Sequence, residues 1–381
     1  MRLYNSLTKN YEILKPLVEG QIKMYVCGIT PYDTTHLGHA FTYMFFDALQ
    51  RVLEYQGYKV EYVQNVTDID DDILKKAKEV KKDWVELGDF WTGKFLNDLK
   101  ALNIKIPTHY VKATNSVDKI IEIIKRLLDL GLAYQKGDHV YFNVGKFSLY
   151  GKLSQLSLEQ MISLSKERGA DPNDPQKINP LDFILWQESL PDEPFWDSPF
   201  SKGRPGWHIE CSAMILKHLG DQIDIHGGGK DLIYPHHESE IAQSESFTQK
   251  IPFVQTWMHT AMVMYQGEKM SKSLGNLVMV SDLLKKYSSN HIRFLLLSHH
   301  YREVWEFDED QLHVVGKKIS KILSSLNKKA EVPKTTIEFD RFLKALDDDM
   351  DTPKALLILQ EMSENNDANL SRGLGILGFQ I

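Results

Sequence analysis

Two short motifs in this chain carry groups that can handle phosphate. His36-Leu37-Gly38-His39 sets a small glycine between imidazoles, and Lys269-Met270-Ser271-Lys272-Ser273 places two ammonium groups three residues apart. An apolar run from Met24 to Cys27 precedes the first motif and a helix-like stretch from Ala40 to Tyr55 follows it, so it falls at a strand-to-helix turn. Backbone amides at a helix start favour phosphate. Lysines in a polar loop can follow the charge that develops on a leaving pyrophosphate. Alone, the first motif reads as a helix start with a satisfied histidine and the second as a solvated basic loop. In this order, about 230 residues apart, they point to an ATP α-phosphate between them and to adenylate chemistry.

The two cysteines suggest a second centre. Cys27 ends the first strand and Cys211 closes Gly206-Trp207-His208-Ile209-Glu210-Cys211; about 25 residues later comes Pro235-His236-His237-Glu238-Ser239-Glu240. A single buried cysteine is usually inert core. His236 and Glu240, however, are spaced i, i+4 and share a helix face. Two thiolates, an imidazole and a carboxylate would complete a zinc site. The same spacing turns His237 and Glu238 elsewhere, as capping or structural groups.

Several elements must position these groups. The strand near Tyr25, the helix to Tyr55 and a strand Lys59 to Val66 make a strand-helix-strand unit. From about Thr114 to Phe200 the character changes, with a helix Val117 to Leu130, short strands at His139 to Val144 and Phe183 to Trp186, and a Gly/Asp/Pro-rich stretch between them. That segment reads as an insertion. Strand character returns at Gln222 to Ile225, followed by Gly227-Gly228-Gly229, a helix opening near Pro235 and a strand at Met258 to Met264. The pattern is a parallel nucleotide-binding sheet split by an insert. Beyond Ser281 it is helical to the end, with a small bundle from about Glu338.

Composition sets the limits. Two cysteines in 381 residues exclude a disulfide scaffold, and no apolar run of signal-peptide length precedes the first strand, so the expected location is cytoplasmic. No window approaches a membrane span. A net charge of -7 gives no global nucleic-acid signature, which leaves a local patch as the remaining route to RNA.

These residues resemble a family, the class I cysteinyl-tRNA synthetases, from about Met1 to Asn327. The likeness includes Tyr25-Val26-Cys27-Gly28-Ile29-Thr30, the HLGH motif, Asn65-Val66-Thr67-Asp68-Ile69-Asp70-Asp71, Arg204 to Ser212, Asp224 to Glu240 and Lys269 to Asn276. The resemblance implies an α/β fold: a Rossmann-like catalytic domain from 1–112 and 201–281, an inserted α+β connective domain at 113–200, a stem-contact helical region at 282–337 and a small helical bundle at 338–381. It implies that Cys27, Cys211, His236 and Glu240 hold one Zn²⁺. His36, His39, Lys269 and Lys272 would be catalytic and, with Gly229 and Asp231, would bind ATP accompanied by Mg²⁺. Gly28, Thr67, Trp207, His226 and Asp231 would surround L-cysteine. An apolar pocket separates serine from cysteine poorly, whereas a metal-held thiolate does so without editing.

Departures from the family pattern bear on the acceptor. Phe41, Gln64 and Asp72 stand where the synthetases commonly carry arginine, arginine and lysine. About 105 residues follow the KMSKS loop, so the usual anticodon-binding module is expected to be absent. These features are similar to the sister family, the mycothiol-pathway ligase that joins cysteine to glucosaminyl inositol. It resembles this chain in Ile29-Thr30-Pro31-Tyr32-Asp33, Val63-Gln64-Asn65-Val66 and Asp83-Trp84. Against it stand Glu240, the run Ile241-Ala242-Gln243-Ser244, and a lysine-to-arginine ratio of 36 to 9 that sits poorly with the GC-rich genomes that make mycothiol. The reading is a monomeric cysteine-tRNA ligase that meets tRNA(Cys) through its acceptor stem. The amine ligase stands second, and a non-catalytic paralogue binding cysteine or tRNA third.

Overall fold

Strand β1 (Gln21–Ile29) sends alternate side chains to opposite faces, as extended backbone must. Ile22, Met24 and Val26 enter the core shared with helix α1 (Leu37–Tyr55), while Tyr25 and Cys27 enter a separate core on the other side. The computed structural model describes residues 1–32, 35–270, 274–326 and 335–381. Four further strands complete the sheet: β2 (Lys59–Val66), β3 (His109–Lys112), β4 (Ile223–Gly229) and β5 (Val254–Thr260). Their spatial order is β5-β4-β1-β2-β3, and every pairing is parallel. β1 and β4 lie side by side although far apart in sequence, and between their carboxyl ends opens the crevice where such sheets bind ligands.

Both faces are covered, as a parallel sheet requires. α1 and the carboxyl-terminal helices bury one face; on the other, Cys211, Met214 and Ile215 of α2 (Trp207–His218) and Ile241 of α3 (Glu238–Thr248) pack against Tyr25 and Cys27. Gly227 lets α1 approach closely, because a Cβ there would lie 2.1 Å from Phe46 Cζ. Buried Arg293 ties α1 to the chain's last residues, donating to Asp47 Oδ2 at 2.8 Å and to the carbonyls of Leu377, Leu102 and Asn103.

Between β3 and β4 sits a five-stranded antiparallel sheet with its own core, flanked by helices Val117–Asp129 and Leu158–Glu167. Its last strand, Lys202–Pro205, leads almost directly into α2. Two local expectations fail. The strand expected at Met258 to Met264 is two strands in different sheets, because Ala261 and Met262 leave the ladder to line a cavity. The region after Ser281 is not wholly helical: Trp305–Glu306 pairs with Val263–Tyr265. A two-residue strand has no periodicity to read; Trp305 is held by its ring contacts with His299 and Phe41. Among the described residues, no helix is long and apolar enough to cross a membrane.

Candidate active site and metal centre

At the carboxyl ends of β1 and β4 lies a cavity of about 200 Å³ lined by Cys27, Gly28, His36, Gly38, His39, Gly229, Asp231 and Met270, among others. The HLGH motif opens α1. His36 is its cap, with Nδ1 accepting from the His39 N–H, and the two rings stack with centroids 3.7 Å apart. The helix therefore points its first amides, and the positive end of its dipole, into the cavity. Gly28 is there because the backbones of β1 and β2 nearly touch. A Cβ would stand 1.6 Å from the Asn65 carbonyl oxygen, and the Gly28 N–H donates to Asn65 Oδ1 at 2.7 Å.

Lys272, with Ser271 and Ser273, lies outside the described residues. The segments on either side are anchored at the cavity. Met270 is part of its wall, and Asn276 Nδ2 donates to the carbonyl of Lys269 at 3.1 Å. Leu37 N–H donates to the Val278 carbonyl and Val280 N–H to that of Thr35. The two motifs, distant in sequence, thus share one rim.

Below the cavity the four proposed ligands converge. Cys27, Cys211, His236 and Glu240 are buried, with their donor atoms within 4.8 Å of one another. Sγ to Sγ is 3.9 Å, His236 Nε2 lies 3.4 Å from Cys211 Sγ and 3.1 Å from Glu240 Oε1, and Cys27 Sγ is 3.8 Å from the same oxygen. Burial alone would raise the Cys211 thiol, but its contacts with Cys27 and His236 bring it down to about 6. Burial likewise works against ionised Glu240, yet the neighbouring His226 and His236 hold it near 2. Burial and the adjacent Cys211 push the Cys27 thiol well up. Burial opposes a charged His236, but Cys211 and Glu240 beside it raise it to about 10, so its imidazolium offsets part of their charge until a metal displaces the proton. Two thiols, an imidazole and a carboxylate desolvated together are a donor set that suits zinc.

His237 departs from the expectation that it points elsewhere. Its Nε2 lies 3.2 Å from Cys27 Sγ, and its Nδ1 lies 2.8 Å from His259 Nε2. Regular helix begins only at Glu238; a wide turn over Ile233–His237, with Tyr234 extended, turns both imidazoles inward. Glu238 is structural, accepting from the backbone of Leu153 and Ser154. Of the residues expected around cysteine, Gly28 and Asp231 line the cavity, while Thr67 and Trp207 sit outside its wall. Thr67 accepts from Asn65 Nδ2, and Trp207 stacks on His236 with centroids 4.5 Å apart. His226 is fully buried and also outside the wall, with Nε2 3.0 Å from Glu240 Oε2. Arg168 of the insert, which no motif in the sequence marks, pairs with Asp231 at 3.2 Å.

A family model described as tRNA synthetases class I (C) catalytic domain matches residues 13–317. The cysteine-tRNA ligase of Thermococcus onnurineus (strain NA1) is 45% identical over 381 residues, covering 95% of this chain and 79% of its own. That of Pyrococcus horikoshii is 46% identical with the same coverage of each. Among solved structures, Mycobacterium tuberculosis methionyl-tRNA synthetase bound by methionyl-adenylate superposes with a TM-score of 0.69 at 13% identity, covering 93% of this chain and 84% of that one. This last likeness concerns the fold alone.

Proposed function

The chain belongs to the class I cysteine-tRNA ligases, and on that premise we propose how its residues divide the work of charging tRNA with cysteine. ATP occupies the cavity between β1 and β4. His36 and His39 face its α-phosphate, Gly229 and Asp231 line the nucleotide's other side, and Lys269 and Lys272 neutralise the departing pyrophosphate. Mg²⁺ accompanies ATP as counter-charge on its phosphates. Cysteine lies beside Gly28, its ammonium toward Asp231 and its thiol toward Cys27, while Thr67 steadies Asn65 and Trp207 steadies His236 from outside the cavity wall. Cys27, Cys211, His236 and Glu240 would hold zinc, which supplies a soft cation that takes a thiolate far more tightly than a hydroxyl. Held in line, the cysteine carboxylate oxygen bonds to the α-phosphorus as the bond to pyrophosphate breaks. A hydroxyl of the tRNA acceptor end then attacks the adenylate carbonyl and releases AMP.

One observation carries this reading: Cys27 belongs both to the four-donor set and to the cavity wall. A group chosen for its affinity to the donor set is thereby delivered to the nucleotide. The division into a split catalytic domain, the insert at 113–200, the region at 282–337 and the bundle at 338–381 is part of the proposal. The insert and the later helices receive the acceptor stem. Of the lysines suited to phosphate contact, Lys285, Lys286 and Lys321 already pair with Asp282, Glu309 and Glu364, which leaves exposed Lys317 and Lys318 as the stronger candidates.

The test is ATP–pyrophosphate exchange with cysteine and with serine, alongside metal analysis. The wild-type chain should hold about one zinc and exchange with cysteine only, and Cys211→Ala should lose both properties. Full cysteine-dependent exchange in a zinc-free chain would overturn the proposal.

A further inference from the structure

Glu240 is held by two different sets of neighbours, one for each oxygen. Oε1 faces the donor set, 3.1 Å from His236 Nε2, 3.8 Å from Cys27 Sγ and 3.9 Å from His237 Nε2. Oε2 turns the other way, to His226 Nε2 at 3.0 Å. We propose that His226 is a positioning residue: by donating its Nε2–H to Oε2 it fixes the carboxylate so that Oε1 alone is offered to the metal. The inference rests on the four-donor reading above, and it moves His226 from contact with the substrate to a place behind a ligand.

The sheet supplies the rigidity that such a role needs. His226 lies at the centre of a cross-strand row, in register with Tyr25 of β1 on one side and Trp257 of β5 on the other. Trp257 stacks on its ring, with centroids 4.5 Å apart and planes 21° from parallel, and Tyr25 meets it edge-on at 5.1 Å. All three side chains are fully or almost fully buried. The ring has no room to swing. Cys27, two residues beyond Tyr25, emerges on the same face of β1, so one row of the sheet sets both a direct ligand and the orientation of another. Partners of this kind orient ligands and tune metal affinity, and their loss commonly weakens binding about 10- to 100-fold.

The experiment measures Zn²⁺ affinity by chelator competition on the full chain, with metal content at saturating Zn²⁺ and the absorption of the Co²⁺-substituted protein. His226→Leu, which removes the donor, and His226→Asn, whose amide is too short to reach, should each bind zinc about 10- to 100-fold more weakly while still reaching one ion per chain at saturation. His226→Gln, which restores a donor at similar reach, should recover most of the affinity. The asparagine variant carries the test should leucine not fold. Unchanged affinity in both donor-less variants would overturn the proposal. So would loss of the ion even at saturation, which would make His226 a ligand within the alternative set Cys27, His226, His237 and Glu240. A wild-type chain with no affinity for zinc would instead sink the metal reading itself.

Discussion

Replacing Gly28 with alanine should unseat Cys27. The Gly28 N–H bonds to Asn65 Oδ1 at 2.7 Å, and an added Cβ would lie 1.6 Å from the Asn65 carbonyl oxygen and 2.7 Å from its carbon. Ordinary contact begins at 3.4 Å, so β1 and β2 must part by roughly 1.8 Å. The obstacle is backbone and cannot swing aside. Parting the strands breaks the Gly28–Asn65 bond and stretches the bond from Thr67 N–H to the Ile29 carbonyl, each worth about 1 kcal/mol. Overpacking adds about 1–3 kcal/mol, for a total near 3–5 kcal/mol. Cys27, one residue away, would move by a good part of that displacement, well outside the ~0.2 Å tolerance of a metal–ligand distance. Urea unfolding and zinc competition, run on the same preparation, read both effects. A loss of about 3–5 kcal/mol with zinc affinity down at least about tenfold is expected. An unchanged unfolding midpoint with affinity within about twofold would show that the close approach does not constrain the site.

Other outcomes follow from the same structure. Lys272→Ala should lower kcat for adenylate formation about 100-fold with a smaller change in ATP KM, since its charge is assigned to the transition state; a raised KM at constant kcat would make the loop a binding clamp. Arg293→Met should cost about 3 kcal/mol in urea unfolding, the low end for a broken buried pair because Asp47 keeps Arg51. Burial, aided by neighbouring imidazoles, depresses both His237 and His259 far below the usual range. Unfolded histidine takes up its proton near pH 6.5, so the metal-free chain should lose stability as pH falls below that value, by up to about 1.4 kcal/mol per pH unit for each ring. His259→Gln should flatten that slope in unfolding curves at pH 7.5 and 5.5. Finally, replacing exposed Lys317 and Lys318 with alanine should weaken tRNA binding and flatten its fall with salt, read by filter binding at two ionic strengths; an unchanged affinity and slope would contradict their assignment.

The sequence was most legible where one residue type has few other uses. HLGH, the KMSKS lysines, the paired cysteines and the i, i+4 pair His236/Glu240 all pointed to nucleotide and thiol chemistry, and the curated relatives bear out cysteine-tRNA ligase over the amine ligase. Strand β2 spans Lys59 to Val66, as expected. What escaped depends on three-dimensional register. The resemblance sets His226 beside the substrate, just past the expected strand; its contact with Glu240 emerges only when β4 is laid between β1 and β5, opposite Tyr25 and Trp257. His237 departs from helix spacing because Ile233–His237 is a wide turn and not yet regular helix. The three positions that lack the family's positive charge are absorbed by neighbours: Phe41 packs edge-on against Trp305, Gln64 accepts from Tyr62 and Asp72 accepts from Tyr32. No periodicity announces such partners.

The most direct test is to incubate the zinc-loaded chain with ATP and labelled cysteine, offering tRNA(Cys) and glucosaminyl inositol in parallel, and to follow where the label goes. Cysteine-dependent pyrophosphate exchange and label transferred to tRNA are expected. Label found only in the amino sugar, or no exchange at all from a zinc-loaded chain, would contradict the proposed function.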